Sequence, residues 1–152
     1  GHPDDERGTK FNAVVAIGEE LEQNLSVNKS KLYLWVDFHS LDQDSPAEIT
    51  RGVNALPLFI QCSDVFVTLE HKEYFDRAWC MVECCFGKQC QRSRSYPLML
   101  ESQAGKIVPH SCTTDPSCAA AVEPQNVVQA RLTVEGDRSA VRFLAGQSVL
   151  LL

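Results

Sequence analysis

Between residues 10 and 25 the apolar positions recur every three or four residues. Phe11, Val14, Val15, Gly18, Leu21 and Leu25 fall on one side, and Glu19, Glu20, Glu22 and Gln23 on the other. That spacing predicts an amphipathic helix, ended by Asn24 and the polar Ser26–Ser30 segment. The next apolar run, Leu32-Tyr33-Leu34-Trp35-Val36-Asp37-Phe38, has little alternation, which suits a strand covered on both faces. A polar loop over residues 40–46 follows. Ser45, Pro46 and Glu48 then form a helix start, since a serine caps the first turn and proline fits inside it. That helix carries Ile49, Val53 and Leu56, and Pro57 is expected to kink or interrupt it before a further turn through Phe59 and Ile60. Asp64-Val65-Phe66-Val67-Thr68-Leu69 is a second buried-looking strand, and a polar loop from His71 leads into a helix over about 77–87.

Residues 88–95 are polar and basic and read as loop. Residues 97–100 read as a third strand that Pro97 places at an edge or a start. Residues 101–126 are irregular, with one short helix around Ala119–Val122, and a last helix runs from about Glu135 to Leu144. The apolar end, Ser148-Val149-Leu150-Leu151-Leu152, is expected to pack. Alternation of strand and helix predicts a single α/β domain over residues 1–152: a three-layer sandwich with parallel strands, right-handed crossovers and helices on both faces. Ligands in such folds bind beyond the carboxyl ends of the strands, here Asp37–Asp44 and Glu70–Arg77.

Composition narrows the function classes. A net charge of −6 and a pI near 5.1 disfavour a phosphate-backbone or anionic-lipid binder, so no nucleic acid and no membrane is expected. The one basic cluster, Lys88, Arg92 and Arg94, is explained by a solvated loop. No apolar stretch is long enough to span a bilayer, and the acidic start Gly1-His2-Pro3-Asp4-Asp5-Glu6 is unlike a signal peptide, so a cytoplasmic location is expected. The seven cysteines are odd in number and irregularly spaced, against a disulfide framework. Cys80, Cys84, Cys85 and Cys90, with His110, Cys112 and Cys118, contain no C-x-x-C pair, so reduced thiols and no metal are expected.

The candidate chemistry lies in Tyr74-Phe75-Asp76-Arg77-Ala78-Trp79-Cys80-Met81-Val82-Glu83, which follows the second strand. Glu83 stands four residues after Trp79, so the two share a helix face near the open edge of the sheet. An indole beside a carboxylate can wall a ring while the acid meets hydroxyls or positive charge. The same residues also fit a plain reading, with Trp79 in the core and Glu83 paired with Arg77 or a neighbouring loop. A third reading is a thiol enzyme using Cys80, its thiolate favoured by a helix N-terminus. That reading needs His39, His71 or His110 to arrive through the fold.

The pattern W-C-x-x-E, standing here as Trp79-Cys80-Met81-Val82-Glu83 after the Val65–Leu69 strand, resembles the TIR (Toll/interleukin receptor) domain family, in particular its plant and microbial branch. Ser63, Tyr74 and the Trp35-Val36-Asp37-Phe38 run with Gln43 strengthen the resemblance, which covers residues 32–87. It implies a short parallel, flavodoxin-like sheet. It also implies an NAD+-cleaving activity in signalling or defence, with Glu83 as the catalytic residue, Trp79, Cys80 and Asp37 at the substrate, and NAD+ as substrate rather than cofactor. Self-association, or pairing with other TIR-like domains, is implied as well. The non-catalytic alternative within the same family is a protein-interaction module. TIR domains open on a strand ahead of the first helix, and no β-rich run precedes Phe11. That strand is therefore expected to be absent from this sequence or replaced by another segment in the sheet's centre. No phosphate-cradling glycine loop is present, Gly8 standing alone.

Overall fold

The computed structural model describes residues 5–25, 32–36, 40–42, 44–70, 73–88, 93–97, 108–109 and 122–150. Asp5 opens the chain into α1 (Thr9–Leu25): its carboxylate accepts from the Thr9 amide at 2.9 Å and the Thr9 hydroxyl at 2.6 Å. Gly8 makes the turn at φ 65°, a conformation that favours glycine. Ser45 caps α2 (Pro46–Gln61), its hydroxyl accepting from the Glu48 amide at 3.3 Å, as the Ser-Pro-x-Glu spacing indicates.

Of the two outcomes expected at Pro57, a kink or an interruption, the interruption does not occur: α2 runs unbroken through it. Proline removes one backbone donor, but Leu56 and Ile60 on either side of it are buried in the core, and that packing holds the helix across the gap. The run from Leu32 is not a strand over residues 32–36. Tyr33 and Leu34 are exposed, while Trp35 stacks on Phe59 of α2 with ring centroids 5.1 Å apart. The rest of that predicted strand lies outside the described residues.

β1 (Phe66–Glu70) falls where the apolar run places it. A 3-10 turn over Tyr74–Asp76 leads to α3 (Ala78–Gly87). β2 spans Ser93–Pro97, earlier than expected and largely within the segment read as loop, and β3 is the short Val108–Pro109. β1 and β2 are parallel, from Phe66 opposite Ser93 to Glu70 opposite Pro97, and β3 pairs antiparallel with β2. The short helix expected at 119–122 lies mostly outside the described residues, and α4 (Pro124–Val127) follows it. A 3-10 turn over Glu135–Asp137 opens directly into α5 (Arg138–Leu150), longer than the expected helix by six residues of its C-terminal end.

β1 is covered on both sides. Val65, Val67 and Leu69 pack against Ala13, Ile17 and Leu21 of α1. On the opposite side Phe66 packs into the main core, built from α2, α3, α4 and α5 around Val82, Phe86, Val127, Val141 and Leu144. This side alternation follows from the two-residue period of a strand. α3 lies at the centre of that core, against α2 on one side and α5 on another. Among the described residues no helix is long and apolar enough to cross a membrane.

Candidate functional site

α3 is apolar on nearly every side, and burial follows: Ala78, Cys80, Met81, Val82, Cys84, Cys85, Phe86 and Gly87 are all buried. Trp79 and Glu83 are its two partly open residues. Their four-residue spacing puts them one turn apart on the same stripe, at the end of α3 that β1 reaches through the Tyr74–Asp76 turn. The pair singled out from sequence therefore shares one face of α3. Cys80 is buried within the main cluster, with 8% of its surface open. Asp37 lies outside the described residues, as do Gln43, His39, His71 and His110. Ser63 donates its hydroxyl to the Phe59 carbonyl at 2.7 Å and so ties off the end of α2.

A segment far along the chain fastens the start of α3. The Ala78 amide donates to the Arg131 carbonyl and the Arg131 amide to the Asp76 carbonyl, each at 2.9 Å, so Arg77 and Arg131 form a parallel bridge. The Arg131 guanidinium meets Glu73 at 3.0 Å on the surface. Trp79 Nε1 donates to Asp137 Oδ2 at 3.1 Å. The turn that presents Asp137 is pinned in its own right. Arg138 forks onto the Glu135 carboxylate through two bonds of 2.9 Å and donates to the Val128 and Ala130 carbonyls at 2.8 and 2.9 Å. The Arg138 hydrogen bond holds the Glu135 carboxyl below its usual range.

Behind the open stripe lies a neutral polar pair. Tyr74 is buried, and the Cys84 thiol donates toward its hydroxyl oxygen at 3.9 Å. Burial pushes both groups well above their ordinary values, and the Glu83 carboxylate pushes both further in the same direction. The charge of Glu83 is thus felt by groups in the core. Burial also raises the Cys85 thiol. Cys80, Cys84 and Cys85 are buried and Cys62 is exposed, and none of the four forms a disulfide. Among the described residues no cluster of histidine, cysteine or carboxylate groups is placed to hold a metal ion.

The arrangement offers one carboxylate and one indole, one helical turn apart and partly open, on a helix whose other eight residues are buried. Such a pair can meet a hydroxylated, cationic ring by charge and by stacking. Sequence reasoning missed Asp137 and Arg131, since neither has a local pattern that points across the fold to α3. No protein-family model, curated protein or solved structure matches this chain.

Proposed function

We propose that this chain is a TIR-like α/β domain that cleaves NAD+ between ribose and nicotinamide, with Glu83 as the catalytic residue and Trp79 as the wall beside it. The observation that carries the reading is the composition of α3: eight residues buried, with the W-C-x-x-E tryptophan and glutamate left partly open one turn apart. Breaking the glycosidic bond builds positive charge on the ribose, and nicotinamide departs as a neutral ring with the bonding electron pair. A fixed carboxylate holds the ribose hydroxyls and stabilises the developing cation, while an indole limits water around it. Water then adds to the cation and releases a proton, or another nucleophilic group of the same molecule closes a cyclic product. Asp37 is proposed as a further substrate contact; Cys80, buried in the main cluster, is left with little surface for the substrate contact that the resemblance implies. The domain is proposed to act in the cytoplasm, in signalling or defence, as self-associated copies.

The test is NAD+ consumption by the purified chain at high protein concentration. Glu83→Gln keeps hydrogen-bonding capacity and loses the charge, so it is expected to lower kcat by about a hundredfold or more while KM changes little. A Glu83→Gln protein as fast as the parent overturns the reading.

A second reading, a non-catalytic interaction module, is favoured by the apolar surface of α5, where Phe143 is 62% and Leu150 85% exposed. A chain that self-associates while parent and Glu83→Gln alike leave NAD+ intact would decide for the module.

A further inference from the structure

Trp79 can serve as a wall only if its ring is fixed, and a partly open tryptophan has rotamers to choose from. Its ring packs against the main core on one side, and a polar partner at the indole nitrogen restricts the choice further. The Asp137 carboxylate accepts from the Trp79 indole nitrogen at 3.1 Å, across 58 residues of sequence. The acceptor is a carboxylate oxygen, a class of acceptor that makes strong hydrogen bonds. Asp137 is no loose partner. Its own amide donates to the Val134 carbonyl at 3.1 Å, and the neighbouring Glu135 is gripped by Arg138. The chain just before it is anchored by the Arg77–Arg131 bridge and by Ala130 and Leu132, which pack on the main core. A carboxylate held on a pinned turn, aimed at the one polar atom of an otherwise apolar ring, sets the plane of that ring.

We infer that Asp137 is a positioning residue for the candidate site: it fixes the Trp79 indole on the face shared with Glu83, so that the ring is preorganised to hold the nicotinamide of NAD+ before the bond breaks. The inference deepens the proposed NAD+ cleavage and rests on it for the identity of the ring that is held. Asp137 touches no reacting atom; its effect passes through Trp79.

The experiment has a spectroscopic and a kinetic arm, both on the full chain. The chain contains two tryptophans, Trp35 and Trp79, so an amide-proton spectrum of nitrogen-15-labelled protein carries two indole resonances, and Trp79→Phe assigns them. Asp137→Ala is expected to shift the Trp79 indole resonance and speed its exchange with water about tenfold, leaving that of Trp35 in place; Asp137→Asn, whose amide oxygen still accepts, recovers most of the protection. In turnover, Asp137→Ala is expected to raise KM for NAD+ about fivefold with kcat within about twofold, and Asp137→Asn to recover most of that loss. A merely structural role would give the other pattern, a smaller active fraction with lower kcat and unchanged KM. An unmoved Trp79 resonance in Asp137→Ala overturns the positioning role, and so does an unchanged KM. A parent chain that leaves NAD+ intact overturns the reading of the site instead, and the indole resonance alone then rules on whether Asp137 holds the ring.

Discussion

Tyr74 carries a hydroxyl into the core, where the Cys84 thiol is its partner and the Glu83 charge is close enough to be felt. Both groups are neutral when protonated, and burial raises both above their ordinary values of 10.0 and 9.0. Below about pH 8 folded and unfolded chains hold these protons alike, and the contribution of the pair is complete. As the pH climbs past those ordinary values the unfolded chain releases the protons and the folded chain keeps them, so stability drains away with rising pH. Melting temperature should therefore fall between about pH 8 and about pH 11, and fall less steeply in Tyr74→Phe, which has no phenol to titrate. At neutral pH the same variant should cost about 1 kcal/mol, the worth of one buried hydrogen bond. Parallel pH profiles for parent and variant would rule the account out. At this scale the candidate site was half legible. Trp79 and Glu83 could be paired from sequence because helical spacing alone joins them. Asp137, which completes the geometry, is joined to Trp79 only by tertiary folding.

The element scale shows why some apolar runs became strands and others did not. Val65, Val67 and Leu69 alternate with Phe66 and Thr68, and each side of β1 finds a helix or core to meet. The run from Leu32 is equally apolar, yet Tyr33 is 90% exposed, because an apolar sequence makes a strand only where a neighbour supplies the backbone ladder. β2 is the converse. Ser93–Pro97 has little apolar character, and its pairing with β1 runs through backbone groups that leave no trace in side-chain periodicity. The close approach of α3 to β1 depends on Gly87, where an added Cβ would overlap the Phe66 ring. Gly87→Ala should destabilise the fold by about 1–3 kcal/mol through overpacking, measured by chemical denaturation. Trimming the ring in Gly87→Ala/Phe66→Leu should recover part of that cost, and a double variant no better than the single one would mean that the ring is not the obstacle.

At the scale of the whole molecule, the apolar interior of the described residues divides in two. α1 contributes Ala13, Ile17 and Leu21 to a small cluster on one side of β1, whereas α3 sits in the main cluster with α2, α4 and α5. Regions with few buried apolar partners open at lower free energy than the core. Backbone amides of α1 should accordingly exchange with deuterium well before those of α3, and equal protection of the two helices would show that the clusters open as one unit. The alternation of helix and strand predicted helices against a sheet, but neither which helix covers β1 nor the path by which the chain beyond Arg131 returns to α3. That return has a consequence in time. Arg131 lies 58 residues beyond Glu73, and Asp137 58 beyond Trp79. A ribosome adding about 5–20 residues per second needs roughly 3–12 s to cover that interval. During synthesis α3 can emerge with its first turn unfastened and its tryptophan loose, and the stripe of Trp79 and Glu83 takes its final shape only when the later turn arrives. A nascent chain would thus carry the chemical groups of the site for seconds before it carries their arrangement.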